Sequence, residues 1–191
     1  NQSCVQDCAG TWGGSKTLDN CGVCDSDSTN DCVQDCNNEW GGPAALDTCG
    51  VCDTDEANDN ASCFISIWKT YNDGDTITLP LREGFAYNFT VDWGDGSAAS
   101  EVTSFDDADI VHAYVTEGEH TIIIKGLMET IHFNNIYPAR GQLLSIPSLG
   151  SVGWTSLHSA FEGCHELTTV AGGDTSQVTN MHRAFYGASQ V

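Results

Sequence analysis

Residues 85–93 read FAYNFTVDW, in which Phe85, Tyr87, Phe89, Val91 and Trp93 alternate without a break with Ala86, Asn88, Thr90 and Asp92. A period of two puts every second side chain on the same face of an extended chain, so the stretch predicts a strand with one apolar and one polar face, half-buried in a β-sandwich. WGDGS (93–97) follows as a tight turn in which Gly94 and Gly96 are free to take positive φ. Downstream, VHAYVTEGEHTIIIKG (111–126) predicts two more strands joined through a turn at Glu117 and Gly118.

Working outward toward the N-terminus, the composition changes at residue 63. Nine of the ten cysteines fall between Cys4 and Cys63, and only Cys164 lies beyond. Here CVQDCAGTWGGSKTLDNCGVCDSDSTND (4–31) is followed by CVQDCNNEWGGPAALDTCGVCDTDEAND (32–59), a tandem repeat with an offset of 28 residues. Each copy has few large apolar residues, so burial alone cannot offset its ordering entropy, and covalent or metal staples must supply the rest. The Cys-x2-Cys and Cys-x3-Cys pairs could hold zinc, but no His accompanies them in this region, and the acidic composition suits an oxidising, extracellular setting. Disulfides among Cys8, Cys21, Cys24, Cys32, Cys36, Cys49, Cys52 and Cys63 are the favoured reading. One scheme pairs Cys8 with Cys21, Cys36 with Cys49, Cys24 with Cys32 and Cys52 with Cys63, although connectivity cannot be read from sequence. Cys4 is then left over, as expected at the end of a longer array.

In that scheme the last two bridges enclose DSDSTND (25–31) and DTDEANDNAS (53–62). Asp25, Asp27 and Asp31 in the first loop, and Asp53, Asp55 and Asp59 in the second, offer hard oxygen donors to calcium. The glycine that an EF-hand loop places at its sixth position is missing. A solvated acidic loop that needs no ion is the alternative. NFT at Asn88, NAS at Asn60 and NQS at Asn1 are acceptor sequences for N-glycosylation, Asn88 on the polar face of its strand and Asn60 in a loop expected to be exposed.

Toward the C-terminus, WTSLHSAFEGC (154–164) returns as VTNMHRAFYGA (178–188), a period of 24 that leucine-rich solenoids share. Leu157, Ala160 and Phe161, like Met181, Ala184 and Phe185, fall at i, i+3 and i+4, so each coil is expected to contribute a short helical turn to a shared core. ELTTV (166–170) supplies a strand. Cys164 occupies the slot of Ala188 and reads as a small buried core residue. His158 and His182 share a register and are expected to stack on the surface rather than to bind a metal.

Several of these motifs together carry a resemblance. VDWGDGS, HAY and EGEHTIII are similar to the signatures of the PKD-type immunoglobulin-like domain, which implies a small β-sandwich with Trp93 in the core and Asp95 in a turn. From FISIWKT (64–70) through LLSIPSLGSVGWTSLHSAFEGCHELT (143–168) to DTSQVTNMHRAFYGAS (174–189), the chain resembles BspA-like leucine-rich repeat surface proteins. That resemblance implies a secreted or surface-anchored protein associated with adhesion, with more repeats than are present here. The acidic loops resemble thrombospondin type 3 repeats without their regular spacing.

The expected fold class is therefore mainly β: a disulfide-rich acidic stalk (1–63), an immunoglobulin-like β-sandwich (64–135) and the start of a leucine-rich repeat solenoid (136–191). Six Lys and Arg against 27 Asp and Glu give a net charge of -21, a field that repels phosphate backbones and argues against nucleic acid. No run of 18 apolar residues predicts a membrane span. The polar start implies a removed leader or a longer chain, and the missing solenoid cap implies a longer chain at the other end unless another subunit covers that face. Asp92 and Asp95 could be paired as acid and base, but no nucleophile or base orienter accompanies them, so no enzyme and no organic cofactor are expected. The expected function is that of an extracellular structural or adhesive protein whose partners are other surface or matrix proteins or glycans. Head-to-tail self-assembly into a filament, and an accessory role beside a secreted hydrolase, are the alternatives.

Overall fold

The fold is mainly β. A computed structural model describes residues 5–134 and 136–191, and the chain divides into two compact units, Asn1–Ala57 and Asn58–Val191. No helix among the described residues is long and apolar enough to cross a membrane.

In the first unit each repeat is a miniature hairpin. Strand β1 (Thr17–Leu18) pairs antiparallel with β2 (Cys24–Asp25), and β3 (Ala45–Leu46) with β4 (Cys52–Asp53). Carboxylates hold the loops. Asp7 accepts hydrogen bonds from the Ala9 and Thr11 amides, and Asp35 from those of Asn37 and Glu39. Asp19 accepts from Cys21 and Val23, as Asp47 does from Val51. Part of the acidic composition is thus spent on loop geometry, as Asx-type bonds commonly are.

The disulfides join Cys8 to Cys24, Cys21 to Cys32 and Cys36 to Cys52, with Cα separations of 5.7, 5.8 and 5.8 Å. Cys49 and Cys63 are disulfide-bonded as well. This corrects the expected scheme at Cys8–Cys21, Cys24–Cys32, Cys36–Cys49 and Cys52–Cys63. Cys24 lies in strand β2 and closes its own repeat, whereas Cys21 lies in the Asp19-stapled turn and reaches Cys32, which opens the next repeat. Trp-Gly-Gly recurs because a Cβ on its second glycine, Gly14 or Gly42, would collide with the carboxylate of Asp7 or Asp35; the first glycine of the second copy is confined further. Gly41 takes φ +68°, and a Cβ there would meet the Cys32 sulfur at 3.0 Å and the Cys21 sulfur at 3.3 Å. The expectation for Cys4 lies outside the described residues.

The second unit is built on a six-stranded sheet ordered β12-β11-β5-β10-β7-β8. Its members are β5 (Phe64–Thr70), β7 (Tyr87–Asp92), β8 (Ser100–Val102), β10 (Gly118–Met128), β11 (Leu143–Ser148) and β12 (Thr169–Val170). In β7 the residues Tyr87, Phe89 and Val91 are buried and Asn88, Thr90 and Asp92 exposed, so the alternation read from the sequence sets the faces. Strand β5 is central, paired antiparallel with β10 and β11. Its even-numbered face (Phe64, Ser66, Trp68, Thr70) is fully buried. Phe64 meets Trp154 edge-on at 5.6 Å and Trp68 stacks on Phe133 at 5.6 Å. The expected division at 135/136 runs through this sheet, because β11 follows it and pairs with β5.

A second, two-stranded sheet pairs β6 (Thr76–Thr78) with β9 (Val111–Ala113). It lies on the buried face of the large sheet, where Tyr114 stacks on His120 of β10 at 3.6 Å. The two strands expected to be joined through Glu117 and Gly118 are therefore not hairpin partners. The chain crosses from one sheet to the other between them. At the turn after β7, Gly94 has φ +75° and a Cβ there would collide with the Thr121 carbonyl, so only glycine fits.

The last 24-residue repeats stack in rows. Leu157, Ser159, Phe161 and Gly163 donate their amides to the carbonyls of Asn180, His182, Ala184 and Tyr186 at 2.8 to 2.9 Å. Between them, Ala160, Glu162 and Cys164 donate to the carbonyl three residues back. The helical turns expected here are replaced by this alternation. Ser159 and Arg183 break any helix with φ of +51° and +59°, and amides engaged across rows are lost to i→i+4 bonds. Among the described residues the helical elements are two short 3-10 turns, Ala108–Ile110 and Ala139–Gly141.

Candidate functional site

Phe133, Phe161 and Phe185 lie in one file, Phe161 tilted 42° to Phe133 at 6.2 Å and stacked on Phe185 at 5.3 Å. Beside it His132, His158 and His182 stack with centroids 5.7 and 5.4 Å apart and rings within 16° of parallel. The expected stacking of His158 and His182 is present, and His132 extends it by a row that the sequence reading missed. Its signal was the apolar-His pair Ile131-His132, repeated at Leu157-His158 and Met181-His182. A spacing of 26 rather than 24 residues concealed it. Backbone and side chain tie this first row down: Thr130 Oγ1 donates to Ser156 O at 2.8 Å, and His132 Nδ1 to His158 O at 2.8 Å. Burial lowers the His132 pKa, aided by the charges of Arg82 and His158. Arg183 pairs with the buried Glu162 carboxylate at 3.5 Å across the last two rows.

The tip of the large sheet holds a second polar constellation. Asp95 Oδ2 lies 2.7 Å from His112 Nε2, and the imidazole is sandwiched against Trp93 at 4.9 Å and edge-on to Tyr114 at 4.8 Å. Hydrogen bonds from Ser97 and then His112 hold the Asp95 carboxyl well below the usual carboxylate range. Tyr114 donates its hydroxyl to Trp93 O at 2.8 Å, and burial pushes its phenol up. Asp92 accepts from the Gly94 amide and Asp95 from the Ser97 amide. The two carboxylates that could be paired as acid and base are both engaged as turn residues, and the Trp-Asp-His-Tyr cluster ties the turn to the core.

In the first unit Asp25, Asp27 and Asp31 come together around a cavity of about 150 Å³ that Ser15 and Thr17 also line. Asp25 accepts from the Asp27 amide and from Asn30 Nδ2, both at 2.8 Å. Asp27 accepts from Thr29 Oγ1 at 2.6 Å, and that bond lowers its pKa. These are hard oxygen donors of the kind calcium takes. Among the described residues, however, no group of three or more His, Cys, Asp or Glu side chains gathers in metal-binding geometry. In the second loop Asp53 and Asp55 make the corresponding turn bonds to Asp55 N and Ala57 N, and Asp59 is exposed.

Of the glycosylation candidates, Asn88 projects from the exposed face of β7. Asn60 differs from expectation: it is half-buried, has φ +62°, and its carbonyl accepts from Ser148 Oγ at 2.8 Å. Asn1 lies outside the described residues. Cys164 is fully buried, which pushes its thiol up to about 12. No family model matches the chain, and comparisons with curated proteins and with solved structures return no match.

Proposed function

We propose that the chain is part of an extracellular structural or adhesive protein, in which a disulfide-stapled stalk carries an immunoglobulin-like sandwich and the first coils of a leucine-rich solenoid of the BspA-like kind. The observation that carries this reading is the row-on-row ladder from Leu157–Gly163 to Asn180–Tyr186. Such stacking grows by repetition and builds broad surfaces for partners. Eight disulfide-bonded cysteines in so acidic a chain support an oxidising compartment outside the cell. Calcium has a place in this reading at Asp25, Asp27 and Asp31, tested by whether millimolar calcium alone raises the melting temperature. Beads coated with the purified chain should attach to matrix-protein or glycan-coated surfaces above an albumin control. Attachment to none of them would end the adhesive reading.

A specific feature favours self-assembly as a second reading. Rows here join through backbone amides and carbonyls, a mode of contact that could also join copies of the chain head to tail. Concentration-dependent filaments in electron micrographs would support it, and a monomer at all concentrations would remove it.

A further inference from the structure

A groove of about 360 Å³ opens between the loop that follows β5, residues 71–76, and the segment 137–142 that leads into β11. Its two tyrosines are exposed, Tyr71 by 48% and Tyr137 by 73%. Each ring is backed by a cation: Lys69 Nζ lies 5.3 Å from the Tyr71 centroid, and the Arg140 guanidinium 4.9 Å from that of Tyr137. The Tyr71 hydroxyl donates to Gly141 O at 3.0 Å, tying the two walls together. The polar lining mixes donors and acceptors, with Asn72 and His165 beside the carboxylates. Glu166 lies on one side. On the other, Asp75 receives the Tyr71 and Asn72 donors on Oδ2. Gln142, only 4% exposed, donates Nε2 to Thr76 O at 3.0 Å, and its Oε1 has no hydrogen-bond partner among the described residues.

We propose that this groove binds a neutral saccharide, one or two sugar rings of a glycan. Exposed tyrosine faces fit the apolar C–H face of a pyranose. Carboxylate oxygens accept from its hydroxyls, and the Asn72 and His165 side chains of the same lining can bond them as well. The size suits a small-ligand site with few polar groups. Charge narrows the class. Asp75 and Glu166 line the groove and the chain carries a net charge of -21, so sulfated and phosphorylated glycans are repelled. A basic peptide is the rival that the same charge would attract.

The proposal rests on the adhesive reading and names its ligand class and site. The test is calorimetric titration of the full chain with neutral gluco-, manno-, galacto- and N-acetylglucosamine oligosaccharides, a sulfated oligosaccharide, and a Lys/Arg-rich peptide. At least one neutral oligosaccharide should bind with a millimolar or tighter Kd. Tyr137→Ala should weaken it about tenfold or more, Tyr137→Phe should retain it, and Tyr186→Ala, on the far row, should change nothing. No neutral oligosaccharide binding, binding of the peptide instead, or unchanged binding by Tyr137→Ala would overturn the proposal. If coated beads still attach to surfaces when Tyr137 is Ala, the adhesive reading stands on other residues and this site falls alone.

Discussion

Gly41 and Gly13 occupy equivalent positions 28 residues apart, with φ of +68° and +73°, yet only Gly41 has neighbours within reach of a Cβ. Replacing either by alanine places an L-residue in the left-handed region, at a cost of about 1–2 kcal/mol. Gly41→Ala should cost more than Gly13→Ala, because it also presses on the Cys21–Cys32 bridge. Urea denaturation of the two variants checks the ranking, and equal losses would show that the sulfur contact is soft. At Asn88 the geometry permits a bulky glycan. Produced in a glycosylating secretory host, the chain should carry sugar at Asn88 and little at half-buried Asn60, read by intact mass and peptide mapping. The residue scale is also where the sequence was most legible. Phe85 to Trp93 sort into faces because a period of two is a local property that neighbouring strands reinforce. The fate of Asn60 was not legible, since the Ser148 hydroxyl that bonds its carbonyl lies far along the chain.

At the scale of elements, legibility depended on whether partners are near in sequence. The strands at β5, β7 and β10 could be placed from their own residues. That β9 pairs with β6 instead of β10 could not, because the crossing between sheets is decided by where Tyr114 packs. The disulfides show the same limit: spacing selects the cysteines, but the Asp19 turn decides which way Cys21 and Cys24 point. Non-reducing peptide mapping should recover Cys8–Cys24, Cys21–Cys32 and Cys36–Cys52, each closure stabilising by about 2–4 kcal/mol. A Cys8–Cys21 fragment would contradict the fold of the repeat. In the stacked rows, Phe161 is fully buried between Phe133 and Phe185. Phe161→Ala should cost about 3–5 kcal/mol by leaving a cavity, whereas truncating the half-exposed Phe185 should cost much less. Thermal melts of the two variants compare them directly.

For the whole molecule, stability should depend on pH through its buried histidines. Burial lowers the pKa values of His120 and His132. Their folded values lie below the unfolded one, so the unfolded chain binds protons more readily. The stabilising contribution is complete above the unfolded value of about 6.5 and is lost as pH falls through the folded values. The melting temperature should therefore drop between pH 7.5 and 5.5, and His132→Asn should flatten the drop. Asp95 adds a second loss in stronger acid, since its folded pKa is depressed and its contribution fades as pH falls below the ordinary carboxylate range. The two units also differ in what holds them: reductant should dissolve order in Asn1–Ala57 while the aromatic core of Asn58–Val191 keeps its near-ultraviolet signal. Finally, the overlap of Cys8–Cys24 with Cys21–Cys32 bears on load. Pulled from its ends, this segment transmits tension from Cys8 through sulfur to Cys24, back to Cys21, and through sulfur again to Cys32, so little of the intervening backbone lies in the path of the force. Oxidised, it is a nearly inextensible tether. Reduced, the same segment can extend to roughly 80 Å, about 60 Å beyond the bridged path.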